Sequence, residues 1–258
     1  MFTNIKINLL TICTGLLVFF FISPAFAHYP WLNLSDYSPK KGAKIAGTIG
    51  WGHHYPLDGF MKQDELTSIK ATGPGNTPME VSFSSPLEWE TSEGISNDGN
   101  YIVSAERKPG FYTKTAQGGK PVSKKGLEGV ISCNFSHPSM KAIASLGTGG
   151  NVATKASLPL EIIPLDDPGA LRVGDYLHLQ VLFQGKPYSG EVYATYAGFS
   201  SDSGTYAYFT STDKEGHARI RILQPGPWLI RSENKTAHPH PEECDFETYS
   251  TTLTFEIQ

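Results

Sequence analysis

The sequence predicts an all-β protein built as two β-sandwich domains, the C-terminal one immunoglobulin-like, and three observations carry that prediction. Glycine (26) and proline (18) punctuate all 258 residues, with short alternating apolar and polar runs between them. No stretch sustains a helical period. The segment Gly147–Thr154, rich in Gly, Thr and Asn, reads as a linker. It leaves a C-terminal unit of about a hundred residues, the usual size of an immunoglobulin-like sandwich. The expected domains are 28–150, an N-terminal β-domain, and 155–258, the sandwich.

Ahead of them comes an expected leader, residues 1–27. Lys6 supplies a positive n-region, Leu9–Ile22 has signal-peptide length and is too short to span a bilayer, and Ser23-Pro24-Ala25-Phe26-Ala27 ends in a small-x-small cleavage pattern. Nothing later is apolar enough to cross a membrane. Cleavage there places the protein in the periplasm or outside the cell, discards Cys13 and leaves a mature chain that begins at His28. Without Lys6 it holds 20 basic against 25 acidic residues, a net charge of −5. That mild acidity, with no basic stripe, excludes a nucleic-acid partner and favours a cation.

The strands follow in order: Ala43–Gly50, Leu66–Thr72, Met79–Ser84, Tyr101–Glu106 and Phe111–Thr115 before the linker. After it come Tyr176–Phe183, Glu191–Tyr196, His217–Leu223, Trp228–Ser232 and Tyr249–Ile257. Thr212-Asp213-Lys214-Glu215-Gly216 is a turn, and Gln224-Pro225-Gly226 reads as a hairpin connection. Between those two, Ala218, Ile220 and Ile222 face inward while His217, Arg219 and Arg221 face out. Cys133 and Cys244 survive maturation in an oxidising setting, where one disulfide is the economical reading and thiolate ligation of a soft metal the alternative. Closing a loop of roughly 110 residues removes on the order of 4.7 kcal/mol from the unfolded state in the chain-entropy model.

Histidine placement carries the functional expectation. A free α-amino group and the Nδ1 of the same His28 close a six-membered chelate on one ion, a pair that no internal histidine offers. His53 and His54 follow a strand and enter a Pro/Gly loop. If strand geometry persists through both, they point to opposite faces, so only one of them joins His28. His238 and His240, beside Glu242, Glu243, Cys244 and Asp245, form a second cluster whose i, i+2 spacing places both on one side of an extended segment. His178 and His217 lie on polar strand faces, and His137-Pro138 reads as a turn. No zinc-protease, P-loop, dinucleotide or serine-nucleophile motif occurs.

One further set of segments stands out: Pro159-Leu160-Glu161-Ile162-Ile163-Pro164-Leu165-Asp166-Asp167-Pro168, Val173-Gly174-Asp175, Gly185-Lys186-Pro187, Thr212–Gly216 and Pro225-Gly226-Pro227-Trp228. His28-Tyr29-Pro30-Trp31, Thr113-Lys114-Thr115, Ser123-Lys124-Lys125-Gly126 and Tyr249–Phe255 fit the same pattern. Together they resemble the NikM-like family, exported domains found with nickel and cobalt uptake systems. The resemblance implies a periplasmic β-sandwich protein, not an enzyme, that binds or hands over a transition-metal ion to a membrane metal permease. The expected ion is Ni²⁺ or Co²⁺, held by His28 with His53 or His54 and with His238 and His240 as further ligands. Nitrogen donors suit Cu²⁺ and Zn²⁺ as well. Two alternatives stand beside this reading: a copper-dependent oxidative enzyme with an N-terminal histidine chelate, and a metal-free extracellular adhesion or scaffold module.

Overall fold

The computed structural model describes residues 28–147 and 153–258. The leader and residues 148–152 of the expected linker lie outside the described residues. The described chain forms nineteen strands: β1 Tyr29–Leu34, β2 Ala46–Gly52, β3 Gly59–Phe60, β4 Leu66–Gly73, β5 Thr77–Met79, β6 Val81–Phe83, β7 Glu88–Thr91, β8 Gly99–Arg107, β9 Gly110–Thr115 and β10 Gly118–Lys120. Then come β11 Val130–Leu146, β12 Leu160–Pro164, β13 Tyr176–Phe183, β14 Lys186–Pro187, β15 Glu191–Tyr196, β16 Tyr208–Ser211, β17 His217–Arg221, β18 Gly226–Ala237 and β19 Phe246–Ile257. β13 over Tyr176–Val181 and β15 over Glu191–Ala194 alternate buried with more exposed residues, the period-2 pattern of strands covered on one face.

Three sheets result. Ten strands form a central sheet with the path β16-β15-β18-β19-β11-β8-β4-β5, and β9 and β10 extend it beside β11. Its two faces are buried by different partners. Val103, Ala105, Met140, Ala142 and Ala144 face the five-stranded sheet of β1, β2, β3, β6 and β7, meeting Leu32, Ile49 and Trp89 there. Their strand neighbours Ile102 and Ile143 point the other way, into the core that Trp228, Ile230, Leu253 and Phe255 make with β12, β13 and β17. Period-2 alternation thus lets one sheet serve two sandwiches, the second against the four-stranded sheet of β12, β13, β14 and β17. Among the described residues no helix is long and apolar enough to cross a membrane.

Two local expectations are corrected. Gln224-Pro225-Gly226 is not a hairpin connection, because β17 pairs with β13 while β18 pairs with β15 and β19, so the chain crosses between sheets there. Nor is His137-Pro138 a turn; both residues lie inside β11. Pro138 falls where one edge of β11 passes from β9, ending at Ser136↔Gly110, to β8, beginning at Ser139↔Glu106. At such a gap in the ladder a proline's missing N–H is tolerated.

Cys133 in β11 and Cys244, just before β19, form a disulfide that closes a separation of 111 residues. It pins the β18–β19 hairpin next to the start of the parallel β11/β19 ladder, which begins at Asn134↔Phe246. The Asp245 carboxylate accepts from the Cys133 N–H at 2.7 Å and pairs with Lys124. The Lys124 hydrogen bond first, and the Cys133 N–H after it, hold that carboxyl below the usual range. Because both sulfurs are in the bridge, neither is a thiolate ligand. A second long-range tie is the ion pair between Lys141 of β11 and Glu161 of β12 at 2.5 Å, with side chains only 1% and 3% exposed. Burial is the main cause that pushes the Lys141 ammonium down, opposed by Glu161.

Candidate metal site

The register of β1 and β2 brings two candidate ligands together. Tyr29 pairs with Gly52 and Pro30 with Trp51, so continuing the ladder one step sets His28 opposite His53, on the Trp51 face. Their ring centroids are 4.3 Å apart, and the His28 ring lies 5.7 Å from Trp51. Leu32 and Ile49 bury the same face further along, and Trp51 packs against the edge of that core. From the facing sheet, Arg107 lays its guanidinium over the Trp51 ring at 4.7 Å. The histidine pair therefore sits at the open end of the N-terminal sandwich, with His28 exposed and His53 half-buried.

β1 is held firmly up to that end. Thr252 and Thr254 of β19 donate to the carbonyls of Pro30 and Leu32 at 2.8 and 2.7 Å. Tyr29 is buried in a hydrophobic cluster with Trp31, Tyr55 and Leu229, and the Arg231 guanidinium lies 4.8 Å above its ring. Burial first, then the neighbouring Tyr206, pushes the Tyr29 phenol well up, so it stays neutral.

His53 shows what the pair can do. Its Nδ1 is buried and, among the described residues, has no hydrogen-bond partner. An unpaired buried polar atom calls for an explanation, and a ligand is one. Burial first, then repulsion from His28, pushes the His53 imidazole below its ordinary value. It is thereby kept neutral, the form that coordinates metal. The two imidazoles, with ring centroids 4.3 Å apart and one ring nitrogen orphaned, offer two neighbouring nitrogen donors.

His54 turns to other partners, because β2 ends at Gly52 and the chain bends through residues 53–58. Its Nδ1 sits 3.2 Å from Asp58 Oδ2, and its Nε2 lies 3.1 Å from the Ser203 hydroxyl. The bend that separates the two histidines starts at Gly52, whose φ of +150° suits glycine. A Cβ there would lie 2.1 Å from Asp58 Oδ2. That same oxygen accepts the His53 N–H at 2.8 Å, the largest of the causes that hold the Asp58 carboxyl low. Pro56 closes the loop by accepting from the Trp31 indole and the Asn33 amide at 3.1 and 2.9 Å.

The second histidine cluster lies elsewhere. His238 is buried against Phe111 and Phe135, and its Nδ1 accepts the His240 N–H at 3.1 Å. His240 is exposed, with Nδ1 3.6 Å from Glu242. Ala237 pairs with Phe246, six residues along β19 from Thr252, which touches β1. At about 3.3 Å per residue, that separates this cluster from the start of β1 by about 20 Å. His178 is tied to Asp166 at 2.8 Å, and His217 faces solvent near Asp213. Among the described residues no group of three His, Cys, Asp or Glu side chains gathers around one point. The pair supplies two side-chain donors, and a third is chemically available from the α-amino group once the chain starts at His28. Sequence reasoning missed Asp58, Ser203 and Arg107. Only Asp58 carried a signal, the Asp-Gly turn dipeptide it makes with Gly59.

A family model described as a domain of unknown function (DUF4198) matches residues 25–236. No curated protein matches the chain. Among solved structures, the D0-D1 domain of intimin is 12% identical, covers 88% of this chain and 96% of its own, and has a TM-score of 0.22. A DUF4785 family protein from Legionella pneumophila subsp. pneumophila str. Philadelphia 1 is 11% identical, with 80% of this chain and 52% of that one covered and a TM-score of 0.26. A chimeric titin Z1Z2-Z1Z2 tandem is 12% identical over 86% of this chain and 97% of its own, with a TM-score of 0.20.

Proposed function

We propose, for a chain that belongs to the DUF4198 family of unknown function, that it is an exported transition-metal binder whose cargo is Ni²⁺ or Co²⁺. The observation that carries this reading is the orphaned, buried Nδ1 of His53 beside the His28 ring, 4.3 Å away between centroids. Cleavage before His28 would add the α-amino nitrogen and complete a set of three nitrogens. Such a set binds first-row divalent ions with Cu²⁺ tightest, so the choice of nickel or cobalt rests on supply and on the recipient rather than on raw affinity. The NikM-like pattern of the turns and core strands supports a recipient of the membrane-permease kind, acting in the periplasm. An exposed His28 at the mouth of a sandwich suits a site that must release what it holds.

The test is metal analysis of processed protein purified from the periplasm without chelators. About one equivalent of nickel or cobalt is expected, and protein free of first-row metals would favour a metal-free module instead. By titration calorimetry with Ni²⁺, His53→Ala is expected to weaken binding at least about tenfold, roughly 1.4 kcal/mol, while His54→Ala stays within about twofold. Equal losses in the two variants would remove the pairing of His28 with His53 from the account.

A further inference from the structure

We infer that Asp58 is a positioning residue of this site: by bonding the His53 backbone and the His54 ring with one carboxylate oxygen, it aims His53 at His28 and keeps His54 out of the metal's coordination shell. The inference rests on the metal-site reading above. One atom, Asp58 Oδ2, does three things. It accepts the His53 N–H at 2.8 Å, it lies 3.2 Å from His54 Nδ1, and it packs so close to Gly52 that a Cβ there would meet it at 2.1 Å. The turn out of β2 is therefore built around that oxygen. The far nitrogen of His54 is engaged too, 3.1 Å from the Ser203 hydroxyl, so both of its ring nitrogens have partners while His53 Nδ1 has none among the described residues. A neighbouring imidazole left free could swing toward the same ion. Holding it away leaves a coordination position open, through which a recipient's ligand can approach and take the cargo.

Supporting groups around metal ligands commonly change affinity by 10- to 100-fold when removed. In the processed protein, Asp58→Ala is expected to weaken Ni²⁺ binding about tenfold with an unchanged thermal transition of the metal-free fold. Asp58→Asn, which keeps a carbonyl oxygen for the His53 N–H, should stay within about threefold. With Cu²⁺ as the probe, the electron paramagnetic resonance spectrum of Asp58→Ala should change as His54 joins the ion, and the double variant with His54→Ala should lose that change. His54→Ala alone should give the parent spectrum, a measurement that decides the matter even where Asp58→Ala does not fold. An altered His54→Ala spectrum would overturn the inference, as would parental Ni²⁺ affinity in Asp58→Ala. So would an equal loss of affinity and thermal stability in both Asp58 variants, which marks a purely structural role. If instead His53→Ala binds Ni²⁺ like the parent, the metal-site reading itself fails and not merely the part given to Asp58.

Discussion

Replacing Cys133 and Cys244 together by alanine is expected to lower the unfolding free energy by about 4.7 kcal/mol in the chain-entropy model, the value for a loop of about 100 residues. The bridge spans 111 residues and sits where β11 and β19 begin to run parallel. Parallel neighbours need a long crossover, here almost the whole C-terminal half, so without the bridge the unfolded chain must close that loop unaided. Urea unfolding of the oxidised parent and the double variant checks this. A difference below about 1 kcal/mol would mean that the loop constraint contributes little. Unreduced, unfolded protein should also offer no alkylatable thiol from these two residues.

The second large effect is expected at the Lys141–Glu161 pair. Lys141→Met leaves the Glu161 charge in a site where its side chain is only 3% exposed, with the Ala156 N–H donating to it at 2.6 Å. Breaking a buried pair in this way costs about 3–5 kcal/mol, whereas replacing both partners by apolar residues of similar size is often neutral. The double variant Lys141→Met with Glu161→Leu should therefore recover most of the loss. Denaturant unfolding of the parent and the three variants gives the comparison. A single variant as stable as the parent would contradict the account of this pair.

Those two ties also mark where the sequence was hard to read. β13 and β15 were legible to the residue because each is covered on one face, and their leucines, valines and alanines alternate with polar groups. β11 was not, although it is the centre of the molecule. It is covered on both faces, yet its run Cys133-Asn134-Phe135-Ser136-His137-Pro138-Ser139-Met140-Lys141 has neither alternation nor a continuous apolar stretch. Its polar groups are satisfied by partners far away in the chain: Ser139 donates to the Leu160 and Ser250 carbonyls, and Lys141 to Glu161. Such pairings have no local signature. The crossing of sheets at Gln224-Pro225-Gly226 was hidden for a related reason, since a Pro-Gly turn looks the same whether or not the flanking strands pair.

The site divides in the same way. Extended geometry predicts that His53 and His54 part, but β2 ends at Gly52, and it is a bend through 53–58, with His54 against Asp58 and Ser203, that separates them. Which of them meets His28 depends on the register of β1 on β2, and β1 carries too few alternating residues to fix it from sequence: in Tyr29-Pro30-Trp31-Leu32 all four side chains are buried. The grip of Asp58 on this loop is a matter of one carboxylate oxygen, and the separation of His238 and His240 is set by the length of β19.

The central claim is that His28 anchors a metal ion through its own amino group, and calorimetric titration of two N-termini tests it most directly. One protein starts at His28; the other carries a single extra residue before it, which moves the amino nitrogen away from the imidazole and breaks the six-membered ring. The α-amino group titrates near 8 and imidazole near 6.5 in model compounds, so both must lose protons to bind, and affinity should fall as pH drops through that range. At a pH of about 8, where both are available, the extension is expected to weaken Ni²⁺ or Cu²⁺ binding by at least about tenfold, roughly 1.4 kcal/mol. The thermal transition of the metal-free fold should not move. Equal affinities for the two proteins would contradict the claim.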